Sequence, residues 1–209
     1  DLIRNVCLKI DTYIKDVNPN NLVYISFDGV APLAKLKQQK ERRFKSKIVM
    51  ELVDDMMKEE DMEYCKNALE NENLFDRTCI TPGTVFMNEL NLKIKEFFKD
   101  SERVYNVKKI IVSGSDERGE GEHKIFDYIR NNNNSALETH VIYGLDADLI
   151  ILCLNHMYIS KNIYLFRETP EFIKNLSSDM DPGDMYVMKI EGLMYKILNA
   201  MYGKDMRND

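Results

Sequence analysis

The sequence predicts an α/β fold, a mostly parallel sheet flanked by helices, and three observations carry that prediction. Short β-type runs at 22–27, 109–112, 140–143 and 163–167 are separated by stretches with apolar residues at helical spacing. Three of those runs lead into phrases rich in glycine and carboxylates, at the strand ends where such sheets carry their functional edge. No linker rich in Pro, Gly or Ser divides the 209 residues, and no internal repeat is visible, so one domain over 1–209 is the simplest organisation.

Taken in order, residues 2–17 show helical spacing and end in the turn-rich Asn18-Pro19-Asn20-Asn21. The run 22–27 is a strand that stops at Asp28-Gly29. From Leu33 to about Lys66 the pattern is one or two helices with a very polar middle. Thr81-Pro82 starts the next helix, with Thr81 as N-cap and Pro82 in the first position, running to about Phe98. A second strand at 109–112 feeds the loop 113–121, and the helix 122–130 stops at the run Asn131–134. The third strand is 140–143, the apolar stretch 149–154 is a buried strand or helix segment, and the fourth strand is 163–167. Asp181-Pro182-Gly183-Asp184 makes a turn before a final amphipathic helix over about 185–201.

Composition excludes several classes. The chain is 44% apolar and 31% charged, as in a soluble globular domain, and no apolar run nears the roughly 20 residues that span a bilayer. The first residues scatter their charges and lack a signal-peptide layout, so an intracellular location, cytoplasmic or nuclear with the cytoplasm slightly favoured, is expected. Cys7, Cys65, Cys79 and Cys153 form no CxxC pair, and the three histidines show no HExxH spacing. Buried reduced thiols are therefore expected, with neither a zinc site nor a redox motif. The net charge of −6 does not exclude a nucleic-acid partner, because the acids include a candidate metal cluster and the basic residues are concentrated.

The acids Asp28 in FDGVAP, Glu120 and Glu122 in GEGEHK, and Asp146 and Asp148 in YGLDADLI are the candidate site. Oxygen-only ligands suit Mg²⁺ or Mn²⁺, and pairs of such ions suit phosphoryl chemistry. At i, i+2 spacing on extended backbone, both side chains of a pair face one side. Gly119 and Gly121 permit the backbone conformations that crowd carboxylates around an ion. Helix N-terminal capping explains any one of these acids more simply. Three such phrases, all after strands, favour the metal.

A basic helix follows the first acid. At about 100° per residue, Lys35, Gln39, Arg42, Arg43 and Ser46 share one sector. Leu33, Leu36, Phe44 and Ile48 share another, which is expected to face the core, while Lys37, Lys40 and Lys47 are solvated. One ammonium, one amide and two guanidinium forks make a good grip for a phosphate. An acidic metal cluster beside that grip is what a nuclease needs.

Five stretches together resemble the Xrn family of 5′→3′ exoribonucleases, within the PIN/flap-nuclease-like group: FDGVAPLAKLKQQKERRFKS, FDRTCITPGTVFM, GEGEHKIFDYIR, HVIYGLDADLIILCLNH and, more weakly, IYLFRE. Their order and spacing also match, across about 21–168. The resemblance implies a PIN/5′-nuclease-like fold and processive hydrolysis of single-stranded RNA from a 5′-monophosphate end to mononucleotides, in RNA decay or processing. It implies two divalent ions, Mg²⁺ or Mn²⁺, held by Asp28, Glu120, Glu122, Asp146 and Asp148. It also implies a 5′-phosphate pocket of Lys35, Gln39, Arg42 and Arg43, sized for one phosphate so that caps and triphosphates are excluded. A flap-type DNA nuclease and a catalytically inactive RNA-binding scaffold are the competing readings. QQKERRF beside DGVAP speaks against the first, and retention of all five acids against the second.

The chain departs from the family pattern in four ways. The family's catalytic region starts with a segment bearing an Asp-Xaa-Asn-Gly type phrase and another acid, and it adds a downstream metal-site Asp in a Gly-Asn-Asp-Phe type phrase. Neither is in these residues, nor is there a Trp to stack on a base. The chain is thus expected to be the central piece of an incomplete catalytic region, weakly active or inactive alone. Arg118 stands where the family often has proline, which is expected to loosen the loop before Gly119.

Overall fold

Strand β1 (Leu22–Ser26) runs parallel to β2 (Lys109–Ser113), in register from Leu22↔Lys109 to Ser26↔Ser113. The computed structural model describes residues 2–30, 32–59, 77–132, 136–169, 181 and 183–203. Two units divide the chain, Asp1–Gly121 and Glu122–Asp209.

In the first unit, helix α1 (Leu2–Val17) forms over the residues its periodicity predicts. Asn18 ends it with a positive φ of 49°, its N–H donating to the Ile14 carbonyl at 2.9 Å. Helix α2 (Leu33–Glu59) is one continuous rod of 27 residues, about 40 Å long. After a 3₁₀ turn at Arg77–Cys79, helix α3 (Val85–Phe97) begins. The short α4 (Glu102–Tyr105) leads into β2 through Asn106 in the left-handed conformation. The core joins Cys7 and Ile14 of α1 to Ile25 of β1 and to Leu90, Ile94 and Phe98 on or just after α3.

Three expectations for this unit change. Helix α3 starts three residues later than Thr81-Pro82 suggests, because Gly83 takes a φ of 89° that no helix tolerates. Thr84, not Thr81, is the N-cap: its hydroxyl oxygen accepts the Met87 N–H at 3.3 Å. The apolar sector of α2 does not reach a core among the described residues, since Leu33 is 84% exposed and Phe44 67%. The helix has too few apolar residues per turn to form a stripe that the small first-unit core would cover. The expected continuation to Lys66, and Cys65, lie outside the described residues.

In the second unit, β3 (His140–Tyr143) runs parallel to β4 (Ile163–Glu168), and β5 (Met185–Lys189) pairs antiparallel with β4. Helices α5 (Gly121–Asn131), α6 (Asp148–Asn155) and α7 (Ile190–Tyr202) complete it. Phe126, Leu149, Cys153, Leu165 and Ile190 form the centre of its core. The fold class is α/β, with two of the three described strand pairings parallel. Residues 185–189, expected as the first turns of the last helix, are strand. The Gly183 turn, at a φ of 84°, returns the chain beside β4, and the Thr169 N–H and hydroxyl both donate to the Asp184 carbonyl there. Edge pairing with β4 satisfies backbone groups that a helix would otherwise have taken, so tertiary context overrides the helical pattern.

Both ring nitrogens of the buried His156 in the second unit have partners. His156 lies under Phe126 with ring centroids 4.2 Å apart. Arg130 Nη1 is 2.6 Å from its Nε2, and its Nδ1 is 2.7 Å from the Leu152 carbonyl oxygen. A guanidinium only donates, so Nε2 accepts and Nδ1–H donates to Leu152, which fixes one tautomer. Cys153 is fully buried and unpaired, and burial pushes its thiol up to about 12, so it is an inert core residue.

Two outcomes are expected. Ile94→Ala, at a position with 0% exposure, should destabilise by about 2–5 kcal/mol in urea titration. Val85→Ala, at 75% exposure, should stay within about 0.5 kcal/mol. The second outcome concerns Tyr105, whose hydroxyl donates to Asp11 Oδ1 at 2.7 Å. Burial, and then Asp11, push the Tyr105 phenol up from its usual 10.0, so it stays neutral in the fold where the unfolded chain would ionise. Stability should therefore fall as pH rises above about 10, and Tyr105→Phe should make that alkaline slope shallower. The Asp11 carboxyl is held below its usual 3.8, first by its bond from Lys15 and also by Tyr105. Its contribution should be present above that value and fade as pH drops further. Urea midpoints from pH 3 to 11 would check both signs.

Candidate functional site

The end of β1 is stitched to the loop that follows β2. Parallel pairing ends at Ser26↔Ser113, and the Phe27 N–H still reaches the Ser113 carbonyl at 3.0 Å. Ser26 Oγ then donates to the Gly121 carbonyl at 2.8 Å, and the Gly29 N–H donates to the Gly119 carbonyl at 2.8 Å. Asp28 Oδ1 accepts the Gly121 N–H at 2.7 Å. The acid of the first phrase thus holds the backbone beside Glu120, an acid of the second. A side chain at Gly29 would collide with the Glu117 carbonyl, so the close approach of the two segments requires glycine there. Gly119 turns the loop with a φ of 99°.

Glu120 is nearly buried, with 12% side-chain exposure, and its Oε2 lies 2.5 Å from Lys35 Nζ. A carboxylate expected on a metal and an ammonium expected on a phosphate are therefore neighbours within the first unit. The rest of the basic sector is less defined. Arg43 is exposed on α2, while the side chains of Gln39, Arg42 and Ser46 lie outside the described residues. Lys37, Lys40 and Lys47 are exposed, as their positions predict.

Within the continuous stretch 120–123, ligand atoms of Glu120, Glu122 and His123 all lie within 4.8 Å of one another. Carboxylate oxygens predominate, and they suit hard divalent cations; an imidazole suits Mn²⁺ better than Mg²⁺. His123 is absent from the candidates drawn from sequence, where histidines are judged only against zinc spacing.

In the second unit, Asp146 and Asp148 stand at the N-terminus of α6, exposed, just beyond the end of β3. The Asp148 N–H donates to Asp146 Oδ1 at 3.1 Å. Ala147 between them is already helical, with φ −68° and ψ −32°, so the extended-backbone argument fails for this pair. It fails also at Glu120 and Glu122, where α5 begins at the intervening Gly121. The acids are placed instead by helix starts, whose unpaired N–H groups favour negative charge.

The supports of the loop 113–121 are what sequence reasoning misses. Asn91, 4% exposed on α3, donates through Nδ2 to Ser115 Oγ at 2.9 Å and accepts the Ser115 N–H at 3.0 Å. Ser113 Oγ donates to Glu117 Oε2 at 2.6 Å, and Lys95 pairs with Asp116 at 2.8 Å. The signal for Asn91 is its position: it falls in the buried stripe with Met87, Leu90 and Ile94, where an apolar residue belongs. Arg118 is exposed and makes no described contact that loosens or tightens the loop.

Comparisons with known proteins address the chain as a whole. The family described as XRN 5′-3′ exonuclease N-terminus matches residues 1–169. The chain is 36% identical over 171 residues to the 5′-3′ exoribonuclease 1 of Saccharomyces cerevisiae, covering 74% of this chain and 10% of that protein. It is 39% identical over 157 residues to the 5′-3′ exoribonuclease 2 of Gallus gallus, covering 69% and 16%. To the 5′-3′ exoribonuclease 2 homolog of Drosophila melanogaster it is 39% identical over 180 residues, covering 79% and 19%. The chain thus spans between a tenth and a fifth of the length of these relatives. The family match extends the likeness over α1, which precedes the quoted phrases. With that match over most of its length, and relatives above 30% identity, the chain belongs to the XRN 5′-3′ exonuclease N-terminus family.

Proposed function

We propose that this chain is a catalytic portion of a divalent-metal-dependent 5′→3′ exoribonuclease that acts on 5′-monophosphorylated single-stranded RNA. The observation that carries the reading is the Lys35–Glu120 contact beside Asp28, within a family whose relatives are named exoribonucleases. It puts a candidate phosphate-binding cation next to a candidate metal-binding acid. That is the adjacency needed to hold a 5′ end while the next phosphodiester is cut. The relatives' names favour RNA over the DNA of a flap-type enzyme.

The proposed roles follow from the chemistry of the side chains. Asp28, Glu120, Glu122, Asp146 and Asp148 are the metal-holding carboxylates, and two Mg²⁺ or Mn²⁺ ions would supply an activated water and stabilise the departing oxygen. Lys35, Gln39, Arg42 and Arg43 grip the terminal phosphate, Lys35 as a point charge and the arginines as planar forks. Ser26, Asn91 and Ser115 position the loop before Glu120. We further propose that all 209 residues serve one nuclease region, as the central piece of a larger one. The reaction belongs inside the cell, in the cytoplasm or nucleus, and no described helix is long and apolar enough to cross a membrane.

The test is an end-specificity assay on the full-length natural protein with 5′-monophosphate, 5′-triphosphate and capped RNAs, in Mg²⁺ or chelator. Only the monophosphorylated RNA should be lost, and only with Mg²⁺; equal decay of all three ends would sink the pocket. Asp146→Ala should lower the rate by at least about 10²-fold, as loss of a metal ligand implies, while the circular-dichroism melt stays cooperative. Arg43→Ala should raise KM for the 5′-monophosphate end and reduce its preference over a 5′-hydroxyl end. An unchanged preference removes Arg43 from the pocket.

A further inference from the structure

Ile163, Leu165 and Arg167 alternate onto one side of β4, and the first two are 0% exposed core residues. The third, in the same line, is an arginine only 9% exposed. Its Nη2 donates to the Leu145 carbonyl at 2.6 Å, while its buried Nε has no hydrogen-bond partner among the described residues. No described carboxylate forms an ion pair with it. Guanidinium stays charged under all ordinary conditions, and burying one without a paired charge costs several kcal/mol. Leucine or methionine would fill this core position without that cost.

What the arginine holds accounts for its place. Pairing of β3 with β4 ends at Tyr143↔Phe166, with one further bond from the Gly144 N–H to the Phe166 carbonyl at 3.3 Å. Beyond Gly144 the chain leaves the sheet, and the bond from Arg167 to Leu145 is its next described tie. Asp146 follows immediately, then Asp148 as the first residue of α6, then the buried Leu149. The short segment carrying both acids is thus anchored at one end by Arg167 and at the other by Leu149 in the core. We propose that Arg167 is a positioning residue that acts through the Leu145 carbonyl to set where Asp146 and Asp148 present their carboxylates to a divalent ion. This rests on the reading of those two acids as metal-holding.

The experiment is Mn²⁺ titration calorimetry on the full-length natural protein, wild type against Arg167→Met and Arg167→Lys, with thermal melts and steady-state kinetics alongside. Arg167→Met should weaken Mn²⁺ binding about 10-fold or more, the usual effect of removing a group that orients a metal ligand. Its kcat should fall while KM for RNA stays near the wild-type value. Arg167→Lys, which keeps a cationic donor, should recover part of the affinity. Mn²⁺ affinity within twofold of wild type in a folded Arg167→Met protein overturns the proposal. So does loss of cooperative melting in both variants, which would make Arg167 a residue of stability alone. A wild-type protein that binds no Mn²⁺ would sink the metal reading itself and this proposal with it, and is thereby distinguished from failure of Arg167 alone.

Discussion

The contact on which the first unit's candidate site depends is the backbone stitch between the end of β1 and the loop after β2. Two parallel strands bring Ser26 level with Ser113, but their ladder ends there. Beyond it, Ser26, Asp28 and Gly29 each make a bond to Gly119 or Gly121. Without those bonds, the acids of the FDG and GEGEHK phrases would be fixed only by loops. A glycine at 29 is the steric condition for the approach, since a Cβ there would overlap the Glu117 carbonyl. The phrase FDG therefore encodes a carboxylate acceptor, a donor N–H and the clearance that lets them work together.

How far the sequence was legible varies with the kind of signal. Helix α1 and strand β3 fall where periodicity places them, and β1, β2 and β4 match to within a residue, because each buries a face whose spacing is visible in the chain. Residues 185–189 are misread because the MYVMK run joins a helix with no intervening break, and only a partner strand distant in sequence decides it. Thr81 and Thr84 are both plausible caps by composition; the φ of Gly83 chooses between them, and a sequence does not display φ. The apolar sector of α2 is left exposed for a related reason. An apolar stripe shows which face could be buried, not that anything packs against it.

The candidate acids were legible by position and less so by local geometry. The acids Asp28, Glu120, Asp146 and Asp148 lie just beyond strand ends or at helix starts, as their phrases suggest, but the extended-pair argument was wrong at Gly121 and Ala147. Helix N-termini do the same work by another route, since their unpaired N–H groups tolerate concentrated negative charge. Asn91, Ser115 and His156 escaped notice because each works through partners far along the chain or through a buried environment. Of these, Asn91 alone left a trace, as a polar residue in an otherwise apolar stripe.

Three of the five candidate acids share an arrangement. Asp28 Oδ1 accepts the Gly121 N–H, Asp146 Oδ1 accepts the Asp148 N–H, and Glu120 Oε2 meets Lys35. Each contact fixes one oxygen of a carboxylate that has two, orienting the group while the second oxygen can still face a cation. An acid with both oxygens tied into the fold would be a structural residue, and one with neither tied would swing through many rotamers before binding. Holding one oxygen limits both the ordering cost and the loss of ligand capacity. Lys35 differs from the two N–H donors because its ammonium ends a flexible four-carbon stem: on the roles proposed above, it would leave Glu120 for a phosphate when an ion takes over the neutralisation of that carboxylate. On that proposed reading, metal binding and capture of a 5′-phosphate would favour one another through a single shared cation.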